Sequence, residues 1–280
     1  MTGERRTYRL AAVIGDPVGH SRSPMLHGHW LARYAISGAY VPLHVRAPDL
    51  AETLRLLPRI GFVGVNVTLP HKEAALALAS RATPRARRIG AANTLTFAAD
   101  GSIDADNTDA EGFLSSLRSA CPGWRPGEAP ASVLGAGGAA RAIVDALLEA
   151  GVPELRLLNR SPARAEEVAQ HYGPRVRPLP WSAAPESLSQ AGLLVNATSL
   201  GMAGQPPLDI ALDGLPTASP VCDIVYVPLE TPLLAAARAR GNPVVDGLGM
   251  LLHQAVPGFE RWFGRRPEVD EALRAAVLAP

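Results

Sequence analysis

Cysteine and long apolar runs are scarce in this sequence, and each shortage excludes a class of protein. Only Cys121 and Cys222 occur, too far apart for a disulfide framework or a zinc ribbon. No uncharged apolar run approaches the ~20 residues that a membrane helix needs. The apolar stretch from Leu10 to Ile14 ends at Gly15 and is too short for the core of a signal peptide. We therefore expect a soluble, cytoplasmic protein.

An excess of charge of one sign is also lacking. Lysines and arginines number 27 against 26 aspartates and glutamates, and the net charge of +1 is too small to attract nucleic acid or a membrane surface. The 7 histidines show no H-E-x-x-H or comparable spacing, and G-x-S-x-G is absent, which argues against a metal-dependent or serine hydrolase. We therefore expect a small-molecule partner and no metal.

Apolar residues, by contrast, make up 47% of the chain and occur in short runs of valine, isoleucine and leucine. These runs alternate with longer amphipathic stretches, the pattern of β–α units that build a mostly parallel sheet. The pattern occurs twice, and 280 residues reach the size at which one core stops growing. We therefore expect an α/β protein of two domains, each with a mostly parallel sheet.

The predicted elements follow the two series. Strands are predicted at residues 10–14, 39–45, 64–67, 92–97 and 102–106, and then at 132–134, 155–158, 193–196, 221–225 and 243–245. Helices are predicted at residues 24–34, 48–57, 109–120, 139–150, 162–172, 250–263 and 268–278, and further helical stretches are predicted after Lys72. The pair of strands that flanks Asp100-Gly101 is expected to be antiparallel, because this dipeptide is a hairpin turn signal.

A glycine loop follows the first strand of the second series. Its residues, in a G-x-G-x-x-A pattern that ends at Ala140, include Gly135, Ala136, Gly137, Gly138 and Ala139. The first glycine permits a tight turn, the second lets the backbone approach a pyrophosphate, and the helix N-terminus then faces the phosphates. A plain tight turn is the alternative, but the strand before the loop and the helix after it favour a Rossmann-type dinucleotide site.

The next strand ends in a segment that favours NADP over NAD. An NAD site usually carries an acidic residue here for the ribose 2′-hydroxyl, whereas this chain has Asn159, Arg160, Ser161 and Arg164. Guanidinium groups form charge-assisted bonds with a 2′-phosphate. A solvated helix start is the alternative interpretation of these arginines.

Polar segments across the chain resemble, in the same order, motifs of the shikimate dehydrogenase family. They lie at residues 13–17 with 20–24, 66–72, 90–94, 106–109, the glycine loop, 196–202 and 246–254. The match runs from about Ala12 to Phe263, and seven ordered motifs make it specific.

This resemblance implies an enzyme that interconverts 3-dehydroshikimate and shikimate with NADP, in the route to aromatic amino acids. It implies a substrate-binding domain of residues 1–109 and 248–280, a Rossmann-like NADP-binding domain of residues 110–247, and a cleft between them. Lys72 and Asp109 would be the catalytic pair. The residues that would contact the substrate are Ser21, Ser23, Asn66, Thr68, Asn93, Tyr226 and Gln254. Further cofactor contacts would be Thr198, Ser199, Ile224 and Gly247.

The chemistry of these residues agrees with the resemblance, because oxidising a secondary alcohol requires a group that takes the hydroxyl proton as hydride leaves. The sequence leaves open whether Lys72 accepts that proton or polarises the oxygen as an ammonium, and whether Asp109 orients the lysine or shares its proton.

The identity of the substrate stays open as well, because quinate competes with shikimate. Ser23 favours shikimate, since quinate-using relatives are expected to carry threonine there, and one methyl group is worth about 1–3 kcal/mol in a fitted pocket. A non-catalytic NADP sensor is a rival from a different class, but such a protein need not retain both catalytic residues and both serines. The chain could be a monomer or a homodimer.

Two positions depart from the family pattern. Ala92 and Ala110 stand where that pattern has valine and glycine. Ala110 would be strained if its backbone required a positive φ.

Overall fold

The computed structural model describes residues 8–279, which divide into two units. Residues 8–108 and 254–279 form the first unit, and residues 109–253 form the second. Residues 1–7 and 280, which fall in the expected substrate-binding domain, lie outside the described part. Across residues 8–279, no helix combines the length and the apolar character needed to cross a bilayer.

A six-stranded sheet carries the first unit. Its strands are β1 (Arg9–Gly15), β2 (Gly38–His44), β3 (Phe62–Val67), β4 (Arg81–Ala82), β5 (Thr94–Phe97) and β6 (Ile103–Asp106), in the order β2-β1-β3-β5-β6-β4. The helices that alternate with them are α1 (Ser23–Arg33), α2 (Leu50–Leu56), α3 (Lys72–Leu78) and α4 (Pro84–Ile89). β1 runs parallel to β2 and β3, whereas β5 is antiparallel to β3 and β6.

The second unit contains a sheet in which all neighbouring strands are parallel. Its strands are β7 (Ala131–Leu134), β8 (Leu155–Leu158), β9 (Val176–Leu179), β10 (Leu193–Asn196), β11 (Val221–Asp223) and β12 (Val244–Val245), in the order β12-β11-β10-β7-β8-β9. Its helices are α5 (Asp109–Ala120), α6 (Gly138–Glu149), α7 (Pro162–Tyr172), α8 (Ala184–Leu188) and α9 (Pro232–Ala239). Two further helices, α10 (Gly247–Phe263) and α11 (Glu271–Leu278), end the chain, and the boundary between the units falls inside α10.

The predicted α/β class with mostly parallel sheets is confirmed, and so is the antiparallel pair. β5 and β6 pair in antiparallel register around Gly101, whose φ of +82° suits a glycine in the turn. α3 and α4 correspond to the helical stretches predicted after Lys72. The strands β4 and β9 and the helices α8 and α9 have no counterpart among the predicted elements. β4 has only two residues and β9 contains Pro178 at a sheet edge, so neither shows the apolar run of a central strand.

The two closing helices begin at different residues from those predicted. α10 starts at Gly247 rather than residue 250, because two glycines in its first turn mask the helical pattern. α11 starts at Glu271 rather than residue 268, because the Asp270 side chain accepts a hydrogen bond from the Leu273 N–H at 2.9 Å and caps the helix there.

An aromatic cluster between α1, β2 and α10 forms part of the first unit's core. Its members are His27, Trp30, Tyr40, Phe259 and Trp262, all buried. Trp262 also donates from Nε1 to the Leu95 carbonyl at 3.1 Å. A Cβ on Gly64 would lie 1.9 Å from that nitrogen, so the indole packs on the sheet only because this strand position is glycine.

His27 is the exceptional member of the cluster. Its ring stacks on Tyr40 with centroids 3.9 Å apart, and neither ring nitrogen has a hydrogen-bond partner among residues 8–279. Burial lowers the pKa of His27 to about 3, although the neighbouring Asn66 side chain acts in the opposite direction. The ring of the folded chain therefore stays neutral down to a pH of about 3.

We expect this histidine to make the fold acid-sensitive. Below its unfolded pKa of 6.5 the unfolded chain gains a proton that the folded chain does not bind until a pH of about 3, so stability falls through that window by up to about 1.4 kcal/mol per pH unit. His27→Phe keeps the stacked ring and should remove this dependence between about pH 6 and pH 4. Urea unfolding of both proteins across that range measures the two slopes. His27→Leu should show the same change; equal slopes in wild type and variants would contradict the prediction.

Candidate functional site

In the second unit, the glycine loop joins the carboxyl end of β7 to α6. Gly135 has a φ of +108°, and a Cβ there would lie 2.9 Å from the Ala197 carbonyl oxygen, so the turn requires glycine. α6 starts after an extended Gly137, with no side-chain cap and no acidic residue in its first turn. These are the features that let a helix N-terminus bind a pyrophosphate through backbone N–H groups. The predicted loop residues Gly135, Ala136, Gly137, Gly138 and Ala139 all belong to this turn and the start of α6.

The segment predicted to select NADP lies beside this loop in the sheet order, at the carboxyl end of β8. The Asn159 side chain donates to the Ser161 carbonyl at 2.9 Å and closes the turn that starts α7. Arg160 and Arg164 are both exposed, and the first turn of α7 contains no acidic residue. Their charges are therefore available to a phosphate group.

A third turn on the same sheet edge is held by a buried carboxylate. Asn196, at the end of β10, accepts from the Thr198 hydroxyl at 2.7 Å and donates to Asp223 Oδ1 at 3.0 Å. Asp223 Oδ1 also accepts from the Val225 N–H at 3.0 Å, and Asp223 Oδ2 accepts from the Thr231 hydroxyl at 2.7 Å. Burial raises the pKa of Asp223, and these three donors oppose that rise. The network links the turn with Thr198 to the turn with Val225.

The predicted nicotinamide-end residues flank this network. A Cβ on Gly247 would lie 2.2 Å from the Ile224 carbonyl oxygen, so the start of α10 approaches the turn after β11 closely because it is glycine. Ser199 is exposed, and Tyr226, two residues after Ile224, is half-buried.

In the first unit, the two predicted serines lie at the start of α1. The Ser21 hydroxyl accepts from the Ser23 N–H at 3.3 Å, and Ser23 is buried. Arg22, between them, donates to the carbonyls of Val277 and Ala279 at the end of α11, the second bond at 3.2 Å. The C-terminal helix therefore anchors the serine loop.

Thr68 and Lys72 follow the carboxyl end of β3. The Thr68 N–H donates to the Ile14 carbonyl at 2.8 Å, and a Cβ on Gly15 would lie 2.5 Å from the Thr68 methyl. His71 bonds through Nε2 to the Val45 carbonyl at 2.6 Å. Lys72 begins α3, and its carbonyl accepts from the Ala92 N–H at 2.9 Å. The backbone around Lys72 is thus held by contacts with three other segments, which contain Ile14, Val45 and Ala92.

Asn66, Asn93 and Gln254, which are far apart in the sequence, belong to one buried hydrogen-bond network. Asn66 donates to the Asn93 carbonyl at 3.1 Å, and Asn93 donates to Gln254 Oε1 at 3.2 Å. Asn93 also donates to the Thr108 hydroxyl at 3.0 Å and accepts from the Thr108 N–H at 2.7 Å. The network joins β3, β5, the loop after β6 and α10.

Asp106 supports the loop that follows β6. Its carboxylate accepts from the Thr83 hydroxyl at 2.7 Å and from the Asn107 N–H at 2.8 Å, and forms an ion pair with Arg261 at 2.5 Å. Burial raises the pKa of Asp106. The combined effect of these partners is larger and in the opposite direction, so the net shift of the pKa is downward. The charged carboxylate therefore fixes the backbone that leads to Asp109.

Asp109, the first residue of the second unit, is buried and begins α5. Ala110 lies in the same helix, and among residues 8–279 the only positive φ angles outside glycine are at Ala35 and Gln190. The alanine therefore does not strain the backbone at this motif.

Several polar residues that take part in these networks were not predicted as site residues, among them Tyr40, Thr94, Thr108 and Asp223. Thr94 and Thr108 lie within the polar motifs, so their positions could have been noticed. Asp223 lies outside those motifs, at the end of β11. Tyr40 lies alone in β2 with no local signal.

Comparison with known proteins gives consistent matches along the chain. Residues 13–95 match the model of the shikimate dehydrogenase substrate binding domain. Residues 126–202 match that of shikimate / quinate 5-dehydrogenase, and residues 247–277 that of the shikimate 5′-dehydrogenase C-terminal domain.

Two curated relatives named shikimate dehydrogenase (NADP(+)) are 60% identical over 270 residues and cover 96% of this chain. They come from Dinoroseobacter shibae and Paracoccus denitrificans, and the match covers 97% and 96% of their lengths. Among solved structures, shikimate 5-dehydrogenase from Thermus thermophilus, in complex with NADP(H) and shikimate, is 40% identical with a TM-score of 0.84, covering 95% of this chain and 99% of that one. Quinate dehydrogenase from Corynebacterium glutamicum, in complex with NAD, is 31% identical with a TM-score of 0.89, covering 97% and 99%. With identities of this size across nearly the whole sequence, the chain belongs to the shikimate dehydrogenase family.

Proposed function

We propose that this protein is a cytoplasmic NADP-dependent shikimate dehydrogenase that reversibly reduces 3-dehydroshikimate to shikimate, in the route to aromatic amino acids. The observation that carries the proposal is the 60% identity over 96% of the chain to relatives named for this activity. Further support comes from the hydrogen-bond networks that hold the expected polar residues in place, namely the network of Asn66, Asn93 and Gln254 in the first unit and that of Asn196 and Asp223 in the second. The protein acts as a monomer or a homodimer, without nucleic acid or membrane.

The second unit suits NADP. The glycine turn before α6 offers an uncapped helix N-terminus to the pyrophosphate, and the exposed Arg160 and Arg164 offer guanidinium charge to a 2′-phosphate. When bound, NADP supplies or accepts the hydride. Residues proposed for the cofactor are Gly135, Ala136, Gly137, Gly138, Ala139, Asn159, Arg160, Ser161, Arg164, Thr198, Ser199, Ile224 and Gly247.

The substrate carboxylate is proposed to bind at the serine loop, Ser21 and Ser23. The hydroxyl groups of the ring meet the amides and hydroxyls proposed for them: Asn66, Thr68, Asn93, Tyr226 and Gln254. Ser23 favours shikimate over quinate, since quinate-using relatives are expected to carry threonine at this position.

Lys72 and Asp109 are the proposed catalytic groups. Lys72 is the sole lysine of the sequence, since every other residue among the 27 lysines and arginines is an arginine. A guanidinium cannot lose its proton in a protein, whereas an amine can. The one basic position that carries lysine instead of arginine is therefore the position at which a proton must be transferred. In reduction the Lys72 ammonium donates its proton to the alkoxide oxygen as hydride reaches the carbon, and in oxidation the amine takes that proton back.

The first test is the initial rate with shikimate or quinate, each with NADP or NAD, at matched concentrations. The pair of shikimate and NADP should give the dominant rate. A dominant quinate signal would reassign the substrate, and tight NADPH binding with silence in all four assays would indicate a non-catalytic sensor.

Replacing the sole lysine tests the proton transfer. Lys72→Ala should lower kcat by about 10²- to 10⁴-fold, measured at saturating shikimate and NADP. Lys72→Arg keeps the charge without a transferable proton and should be nearly as slow. Retained activity in Lys72→Arg would show that the charge acts by polarising the oxygen, and unchanged activity in Lys72→Ala would remove the lysine from the mechanism.

A single lysine also gives a direct binding probe. Protein labelled with [ε-¹³C]lysine should show one ε-carbon resonance, and this resonance should shift when shikimate is added. A resonance that does not move at saturating shikimate would place Lys72 outside the substrate site.

Arg160→Asp tests the selection of NADP. The variant should bind NADP about 10-fold to 150-fold less tightly, as expected for losing a charged hydrogen bond, while NAD binding changes little. Arg177→Asp, an exposed arginine on β9, makes the same change of net charge and should leave the NADP to NAD ratio unaltered. Equal ratios in both variants would contradict the proposed role of Arg160.

A further inference from the structure

The Asn66 amide has almost no free hydrogen-bonding capacity. The Asn93 carbonyl oxygen, 3.1 Å away, can only accept, so the amide atom that faces it must be nitrogen. The second N–H lies 3.2 Å from the Thr94 hydroxyl oxygen. Both donors of Asn66 are therefore occupied, and the amide can contact a ligand only through its oxygen.

That oxygen is bonded to Tyr40. The Tyr40 hydroxyl lies 2.7 Å from Asn66 Oδ1, and because an amide oxygen can only accept, the phenol donates. One lone pair of Oδ1 remains. This lone pair can accept a hydrogen bond from a ligand hydroxyl but forms none with a carboxylate, which has no proton to donate.

Tyr40 itself is held firmly. It is 6% exposed and its ring stacks on His27 with an interplanar angle of 5°. Burial raises the pKa of Tyr40 well above its usual value, although the nearby Ser23 hydroxyl opposes this rise by hydrogen bonding to the phenol oxygen. The phenol therefore remains a donor at neutral and moderately alkaline pH, beside two residues proposed for the substrate.

We propose that Tyr40 is a positioning residue of the substrate site, whose hydroxyl fixes the Asn66 amide so that Oδ1 selects a ligand hydroxyl. This rests on the proposed function. Without the Tyr40 hydroxyl, Asn66 Oδ1 loses its buried hydrogen-bond donor. The Asn66 side chain then rotates toward another partner, or a water molecule takes the place of the hydroxyl. Replacing Tyr40 by phenylalanine removes the hydroxyl oxygen but keeps the ring that stacks on His27. The change should therefore affect substrate binding rather than the packing of the aromatic cluster.

Tyr40→Phe is the variant that tests this. Its KM for shikimate should rise about 3-fold to 10-fold, the usual worth of one neutral hydrogen bond, with a smaller fall in kcat. Its KM for NADP should stay unchanged, because the proposed cofactor residues belong to the other unit. Tyr34→Phe is the matched control: it removes a phenol oxygen that accepts from the Glu268 N–H at 3.0 Å and should leave both KM values as they are.

A double-mutant cycle separates positioning from a merely structural role. If Tyr40 acts through Asn66, then adding Tyr40→Phe to Asn66→Ala should raise the KM for shikimate no further. Fully additive changes, or a wild-type KM in Tyr40→Phe, would overturn the inference. Thermal unfolding of each variant shows whether a change in KM follows from lost folding, which would also count against it.

The failure of this inference can be told from that of the proposed function. Wild-type turnover of shikimate with an unaltered KM in Tyr40→Phe would overturn the role of Tyr40 alone. If the wild type neither turns over shikimate nor binds it in titration calorimetry, the proposed function falls, and the role of Tyr40 falls with it.

Discussion

The requirement that a buried amide satisfy its hydrogen bonds governs the first unit. Asn93 lies directly before β5, and its side chain bonds to Thr108, Thr94 and Gln254. An unpaired polar group in this position would cost about 1–3 kcal/mol, so each element that carries a partner is held in place by the same requirement. The loop that ends the first unit and the helix that re-enters it are both fixed against the sheet by this one side chain.

In the second unit, the buried carboxyl group of Asp223 plays the corresponding part by binding several hydrogen-bond donors. Asn196 and Asp223 end neighbouring parallel strands, and together they bind the turns that carry Thr198 and Val225. Because parallel strands end on one edge of the sheet, their turns lie side by side. Burial of the Asp223 carboxyl group is offset by the three donors that surround it. Rigid turns of this kind hold ligand groups with little loss of conformational freedom on binding.

Glycine supplies a second constraint, which acts through close approach. Gly135, Gly64 and Gly247 each lie where a Cβ would meet another group well inside normal contact distance. At Gly64 the neighbour is the Trp262 indole, a core contact, whereas at Gly135 and Gly247 the neighbours are carbonyls of adjacent turns. The same residue type therefore serves packing in one unit and turn geometry in the other, and only the neighbours distinguish the two uses.

The sequence by itself determined the α/β class, the strand and helix series, the hairpin and the glycine turn, because these depend on local periodicity and on backbone preferences of short segments. Motif spacing also located the polar positions of both units. Tertiary structure alone decided which of these positions bond to one another: Tyr40 lies in an apolar-looking strand, and its partner Asn66 is 26 residues away. The start of α10 likewise depended on the close approach of Gly247 to the turn after β11, whereas the start of α11 follows from the local Asp270 cap. Local patterns report which face of an element is buried, whereas a hydrogen bond between distant residues depends on the distance and angle that packing sets between two elements.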